Sequence, residues 1–301
     1  MVDVKLQSFI AVVEKGTFSA AANELHLTQS AVSQQIKQLE NELSIKIFNR
    51  VGTESKLTKE GQILYKYSRR IISLYQDLET RLLDEKKQTK TLLVGITHTS
   101  ESNIIAYVLA KYGNSHKGTK IQIRTDSINN LYDQLLSYEI DLAIVEGSLN
   151  SKKVSSILLD TDSLLVVMCK ENPLASKKII DIDDLKKERM ILRSKGSSTR
   201  NLFIQQLQND KMNIDEFNVV LEVDNIATIK DLIAKNYGIS ILPKSVCYEE
   251  IKNHSLEVRS IANFHMNREI NLVFLNDFTD TQILKDLVSI YQEMSILEPN
   301  N

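Results

Sequence analysis

The 301-residue sequence is short of several things, and each shortage closes off a class of function. There are two cysteines, Cys169 and Cys247, far apart and outside any Cys-x-x-Cys spacing. That excludes a disulfide framework and a thiolate metal site, and leaves both as reduced core thiols. No stretch approaches the roughly 18 apolar residues of a membrane span. The start MVDVKLQSFI lacks a basic region followed by an apolar run, so no export leader is read there. The expectation is a cytoplasmic protein with no membrane partner. Charge of one sign is also lacking. Thirty-seven Lys and Arg stand against 39 Asp and Glu, a net charge of −2 that argues against a coat of non-specific polyanion contacts. No GxSxG, P-loop or GxGxxG segment occurs, and His26, His116, His254 and His265 show no metal-ligand spacing. His98 alone is more simply a packing or capping residue than a catalytic one. No cofactor, no metal and no enzymatic activity are expected.

What is present begins in the first third. Residues 1–90 hold 14 Lys or Arg against 11 Asp or Glu, which leaves a surplus of negative charge in the rest. This mild asymmetry fits a nucleic-acid-binding end on a neutral or acidic body, although a difference of this size also arises by chance. The informative stretch is FSAAANELHLTQSAVSQQIKQLE, residues 18–40. Val32, Ile36, Leu39 and Leu43 recur at spacings of four, three and four, which puts them on one helical stripe expected to be core. Ser30, Ser33, Gln34 and Lys37 fall on roughly the opposite side, with Gln29 at the N-terminal end and Thr28 placed to cap it. The preceding helix, from about Ser19 to Leu25, buries Phe18, Ala21, Ala22 and Leu25. Its alanines allow another helix to cross closely, as a helix-turn-helix requires. A recognition helix must enter a major groove about 12 Å wide, so short polar side chains on its outer face are a steric requirement. The alternative is a small helical subdomain with a solvated face, though such faces carry more Glu and Lys. The segment from Leu43 to Gly61 adds a short loop in which Arg50 and Lys56 are placed to grip phosphates. The whole forms a winged helix-turn-helix.

The run AANELHLTQSAVSQQIKQLENELSIKIFNR, followed by LTKEG, resembles the N-terminal signature of the LysR-type transcriptional regulators over about sixty residues without a gap. The resemblance implies that Gln29, Ser30, Ser33, Gln34 and Lys37 meet DNA. The sequence departs from the family pattern at Ser44, where Gly is common, and at Ile47-Phe48, where Leu-Phe is common. The wing, often Arg-rich, reads VGTESK here, with Thr53 and Glu54 in places where cations are frequent. Phosphate grip should therefore rest on Arg50 and Lys56.

From Lys59 to about Gln88 there is one glycine, Gly61, and no proline. Leu64, Tyr67, Ile71, Leu74, Leu78 and Leu82 recur at spacings of three and four. Thirty helical residues at ~1.5 Å each reach about 45 Å, too long to be covered by a sixty-residue domain, so the apolar seam calls for a second helix. Its simplest partner is its own copy. Such a dimer would place two recognition helices on one side of a duplex and select an inverted-repeat operator in double-stranded DNA. The alternative is a helix packed on the C-terminal body. The family resemblance favours the dimer helix, and further implies pairing of dimers into tetramers, with RNA polymerase as a further candidate partner. The run DEKKQTK, residues 84–90, reads as the solvated end and hinge.

After residue 90, short β-rich runs alternate with helical patterns, which predicts an α/β region with parallel sheets and right-handed crossovers. Strands are expected at TLLVGIT, KIQIRTD, DLAIVEG, RMILRS, NVVLEVD, GISILP and EINLVFL, with helices near 101–112, 129–138, 198–209, 225–236 and 279–296. The run from Val154 to Ala175 exceeds a normal strand, as expected where the chain leaves one lobe for another. The expected division is 1–58 for the winged helix-turn-helix, 59–90 for the linker helix and hinge, and 91–301 for the effector-binding domain. Within that domain, the first lobe covers about 91–162 and 267–301, and the second about 163–266. The family resemblance likewise implies a two-lobed sensor like a periplasmic binding protein, and RSKGSSTR and IKDLIAKNYGISILP match recurrent family segments.

In open α/β sheets, ligands bind at the carboxyl ends of strands, beside helix N-termini. Three such ends are rich in hydroxyls and amides: Thr97, His98, Thr99 and Ser100; Ser197, Ser198 and Thr199 after Gly196; and Asn225 after Asp224. Each alone is a helix cap. Together, with Arg193 and Arg200 nearby, they predict a crevice for a small anionic effector. Glu146 is a candidate acceptor for an amino group, although one acid at a strand end is usually just solvated. The reading is a sequence-specific regulator controlled by a bound small molecule. An effector-independent DNA binder is the nearest rival, and a transporter's solute-binding protein a more distant one.

Overall fold

The computed structural model describes residues 3–51, 54–100, 104–147 and 151–296, with the side chains of Arg50, Val51, Glu54, Ser55 and Ile296 outside the description. The chain divides into two compact units: residues 1–92 with 133–140, and residues 93–132 with 141–301.

The first unit opens with helices α1 (Val4–Lys15), α2 (Phe18–Glu24) and α3 (Gln29–Leu43). Each start is capped by a side chain. Asp3 accepts from the Lys5 amide, Thr17 from that of Ala20, and Thr28 from that of Ala31. Each such cap stabilises its helix by about 1 kcal/mol. Buried Ala21 and Ala22 form one small core with Ala11, Val12 and Val32, which is the close crossing their size permits. An adjoining cluster holds Phe9, Ile36, Leu39 and Ile47. Of the helical stripe read in α3, Val32, Ile36 and Leu39 are buried, but Leu43 is 45% exposed. It ends the helix at Ser44, whose left-handed backbone turns the chain away, so the periodicity outlasts the core beneath it.

Strands β1 (Phe48–Val51) and β2 (Glu54–Leu57) pair antiparallel and form the wing. Helix α4 (Lys59–Lys87) follows with 29 residues. Its cap explains the Leu-Thr-x-x-Gly run. The Thr58 hydroxyl accepts from the Gly61 amide at 2.8 Å and donates to the Lys46 carbonyl at 2.6 Å. A Cβ on Gly61 would lie 2.3 Å from the Ile47 carbonyl oxygen, so only glycine fits that crossing. Leu64 packs against the cluster around Phe9. Beyond it, Tyr67, Ile71, Leu74, Leu78 and Leu82 are each between 47% and 57% exposed.

The second unit is α/β. Strand β3 (Lys90–Thr97) is followed by α5 (Ile105–Ser115), β4 (Thr119–Asp126), α6 (Ile128–Leu136), β5 (Leu142–Glu146) and the 15-residue β6 (Val154–Met168). Next come β7 (Ile179–Ile180), α7 (Ile182–Leu185), β8 (Met190–Arg193), α8 (Ser198–Asn209), β9 (Val219–Val223), α9 (Ile226–Ala234) and β10 (Ser240–Pro243). The chain closes with α10 (Tyr248–Lys252), β11 (Glu257–Ile261), β12 (Asn267–Leu275) and α11 (Thr281–Ile296). Two lobes share β6. Through Ser163 it pairs with β12, and from Leu164 onward with β10 and β11.

The sheets are mixed rather than parallel throughout. β3 pairs parallel with β5, and β8 with β9. β12 runs antiparallel to both β5 and β6, while β10 and β11 run antiparallel to β6. The physical reason is the route of the chain: it passes from the first lobe to the second on β6 and returns on β12, so these neighbours must run in opposite directions. The second lobe is filled by Val166, Met168, Phe203, Leu207 and Ile239, with a further cluster of Ile226, Ile229, Ile233 and Leu242 around α9. Cys169 and Cys247 are both buried and unbonded. Burial pushes the Cys247 thiol up to about 12. Among the described residues no helix is long and apolar enough to cross a membrane, and no cluster of His, Cys, Asp or Glu could hold a metal ion.

Candidate functional site

Two polar surfaces emerge, one in each unit. On α3, Gln29, Ser30, Gln34 and Lys37 are exposed and Ser33 is half-buried, on the side away from Val32, Ile36 and Leu39. Their polar groups engage one another at the surface. Gln29 Nε2 donates to Ser33 Oγ at 3.1 Å, and the Thr28 and Ser30 hydroxyls are 3.0 Å apart. These contacts are exposed and so can be exchanged for others at little cost. Lys56 is exposed on β2. Arg50 belongs to β1, but its side chain lies outside the described residues, as do Gly52 and Thr53.

The second surface is a cleft of about 340 Å³ in the α/β unit. One wall is formed by Thr97, His98 and Thr99 after β3 and by the turn from Asp126 to Asn129 after β4. The other comprises Arg193 to Ser198, between β8 and α8, together with Asp224 after β9. Thus Thr97, His98, Thr99, Ser197 and Ser198 lie together as predicted from the strand ends. Ser100 and Thr199 do not line the cleft; both are buried behind its walls. Asn225 is also absent from the lining, and instead caps α9 by accepting from the Thr228 amide at 2.9 Å. Asp126, Ser127, Ile128 and Asn129 were missed, although the same strand-end rule applied to β4 points to them.

The two walls differ electrostatically. Behind Thr97 lies Glu146, only 4% exposed. Its Oε2 accepts from the Thr97 hydroxyl at 2.6 Å, and its Oε1 from the Ser100 hydroxyl at 2.9 Å. In the opposite wall Arg193 is 2% exposed and its Nη2 donates to Asp224 Oδ1 at 3.0 Å, while its Nε and Nη1 have no hydrogen-bond partner. Arg200, also buried, donates to the Arg193 carbonyl at 3.1 Å and meets Glu222 at 2.8 Å. That hydrogen bond from Arg200 holds the Glu222 carboxyl below the usual range. The Ser197 hydroxyl accepts from the Arg200 amide at 3.2 Å, which leaves the amides of Ser198 and Thr199 with no acceptor within the helix.

A buried ion pair lies where β6 changes partners. Arg268 Nη2 is 3.2 Å from Asp162 Oδ2, their side chains being 6% and 4% exposed. Asp162 also accepts from the Ser245 amide and hydroxyl, at 3.2 and 2.7 Å. Arg268 Nη1 approaches the Thr199 hydroxyl at 3.5 Å, so this network joins the strands shared by the lobes to the first turn of α8.

Comparison with known proteins assigns a family to each part of the chain. Residues 4–62 match the family described as "Bacterial regulatory helix-turn-helix protein, lysR family", and residues 85–295 match the "LysR substrate binding domain". A probable RuBisCO transcriptional regulator of Trieres chinensis is 26% identical over 276 residues, covering 89% of each chain. The HTH-type transcriptional regulator CysL of Bacillus subtilis (strain 168) is 24% identical over 269 residues, again with 89% of each chain covered. Among solved structures, full-length CbnR in complex with its target DNA superposes with a TM-score of 0.66 at 19% identity, over 96% of this chain and 98% of that one. A full-length OxyR variant from Pseudomonas aeruginosa gives 0.63 at 21% identity, over 96% and 93%. At these identities the structures bear on the fold alone.

Proposed function

The chain belongs to the LysR family of transcriptional regulators, and from that premise we propose that it reads an inverted-repeat operator through α3 and is controlled by a small anionic effector held in the cleft. The single observation that carries the effector half is the opposite wall of the cleft. There a buried guanidinium with two unpartnered nitrogens lies beside the first turn of α8, where the amides of Ser198 and Thr199 have no acceptor within the helix. The DNA half is supported by the exposed Ser/Gln face of α3. In this reading Gln29, Ser30, Ser33 and Gln34 meet base edges, while Lys37, Arg50 and Lys56 meet phosphates.

The half-exposed seam of α4 supports a dimer formed by two such helices, with the effector domain beginning after residue 90. Replacing Leu74 and Leu78 by Glu should then convert dimer to monomer in sedimentation, and an unchanged mass would exclude α4 as the interface. A cytoplasmic location and a regulatory rather than enzymatic role complete the proposal. The effector acts through its difference in affinity for two arrangements of the protein. A coupling of ~1–3 kcal/mol corresponds to about five- to 150-fold in operator affinity.

The deciding experiment is a gel-shift titration on the DNA upstream of the gene beside a scrambled duplex of equal length, at two salt concentrations. Tight binding that scrambled competitor cannot displace is expected. Equal binding to both duplexes with the same steep salt dependence would instead mean that phosphate contacts dominate and that this DNA carries no operator.

A further inference from the structure

The walls of the cleft carry opposite electrostatic preferences, and this restricts what the effector can be. The Thr97 hydroxyl has one proton, and its shortest contact is the 2.6 Å bond to Glu146 Oε2. A bond from a hydroxyl to a carboxylate is stronger than one to another hydroxyl, so it takes precedence over the 3.1 Å contact with Ser100. The Ser100 proton is directed to the other oxygen of the same carboxyl group. Thr97 Oγ also accepts from the Ser100 amide at 3.3 Å, so its remaining lone pair is what it offers the cleft as an acceptor, backed by an acid that has no cationic partner among the described contacts. The Asp126 carboxylate stands on the same wall, its Oδ1 accepting from the Ser127 amide and from Asn130 Nδ2, both at 2.7 Å. This side of the cleft receives donors and positive charge.

The opposite wall has the reverse character. Arg193 and Lys195 line it, two nitrogens of buried Arg193 lack partners, and α8 presents its N-terminus there over 12 residues. Asp224, the acceptor that Arg193 does have, is 60% exposed and so can turn to water when another anion arrives. A simple inorganic anion would satisfy this wall and leave the Thr97 acceptor, with buried Glu146 behind it, facing it.

Resting on the reading of the cleft as the effector site, we propose that its ligand is a small zwitterion, an amino carboxylate. Its carboxylate lies at the start of α8 against Arg193 and Lys195. Its ammonium donates to Thr97 and lies within the field of Glu146 and Asp126. A cleft of about 340 Å³ suits a molecule of that class. Glu146 is then a specificity-determining residue that acts through the orientation of the Thr97 hydroxyl.

The test is a melting and calorimetric screen of the full-length protein against the twenty common α-amino acids, each beside the matching carboxylic acid without its amino group, with sulfate and phosphate added. At least one amino acid is expected to raise the melting temperature and to bind about tenfold or more tightly than its deaminated counterpart, because a site built to accept an N–H discriminates against ligands that lack one. Glu146→Gln should remove that preference, and Thr97→Val, which deletes the acceptor while keeping the shape, should do the same should the first variant fold poorly. Lys195→Ala should weaken both members of a pair alike. Equal binding of an amino acid and its deaminated partner would overturn the zwitterion while leaving an anionic effector in place, as would tightest binding by sulfate or phosphate. Silence across the whole panel would also overturn it. The gel shift judges the regulator reading separately, since operator recognition through α3 does not depend on this panel.

Discussion

The face of α3 and the Thr97–Thr99 wall of the cleft are built from the same kinds of residue, yet their physical states are opposite. On α3 the hydroxyls and amides are exposed and bonded loosely to one another, as in the 3.1 Å contact from Gln29 to Ser33. In the cleft wall Thr97 and Thr99 are buried, with Ser100 behind them, and the Thr97 and Ser100 protons are committed to one carboxyl group. The first surface can re-form its bonds to suit a base edge, as the proposed reading of DNA requires. The second cannot, and a rigid arrangement of donors and acceptors is what lets a pocket reject near relatives of its ligand. Composition is thus a poor guide to role, whereas burial separates the adaptable surface from the fixed one.

Substitutions can break this contrast. The largest effect is expected behind the cleft, where Asp162→Ala leaves Arg268 buried without its ion-pair partner. The C-terminal unit should lose roughly 3–5 kcal/mol, read as a lower denaturant midpoint. Ser33→Ala on α3 should leave the same midpoint within about 0.5 kcal/mol, and a similar loss from both would erase the contrast. Next in size, Gly61→Ala forces a Cβ toward the Ile47 carbonyl and should cost the N-terminal unit about 1–3 kcal/mol. An unchanged melting curve would show that α4 can shift freely beneath the wing.

Smaller effects should appear only with DNA. Gln34→Ala is expected to reduce discrimination between operator and mismatched duplex by about 1–3 kcal/mol while leaving stability alone. Lys37→Ala should weaken all duplexes alike and reduce the salt slope by about one. If the two variants behaved identically on specific and random DNA, the division of α3 into base-reading and phosphate-gripping residues would fail.

Much of the N-terminal unit was legible because its interactions are local. The cap at Thr28 and a stripe of period 3.6 are each written within a few residues of where they act, whereas the caps at Thr17 and Thr58 and the close crossing at Gly61 emerged only with the structure. Leu43 marks the boundary of that legibility, since a stripe tells which residues share a side but not where the core beneath it stops. The cleft was half legible: strand ends rich in hydroxyls pointed to Thr97, His98, Thr99, Ser197 and Ser198. The rule did not tell that Asn225 serves only its own helix, or that Ser100 and Thr199 turn inward. Those outcomes depend on residues far along the chain, Glu146 for Ser100 and Arg268 for Thr199.

The sequence by itself determined the helix-turn-helix, the long amphipathic helix and the alternation of strands and helices, because each follows from periodicity or from spacing over short range, while the family followed from resemblance to a known signature. Only the tertiary structure decided that β12 returns antiparallel between β5 and β6, that Asp162 and Arg268 meet across 106 residues of chain, and that Thr97 and Ser100 turn their hydroxyls to Glu146 while Arg193 meets Asp224. The physical reason is that strand direction, ion pairing and the orientation of a hydroxyl proton are set by partners brought together through folding, and no local pattern records who those partners are.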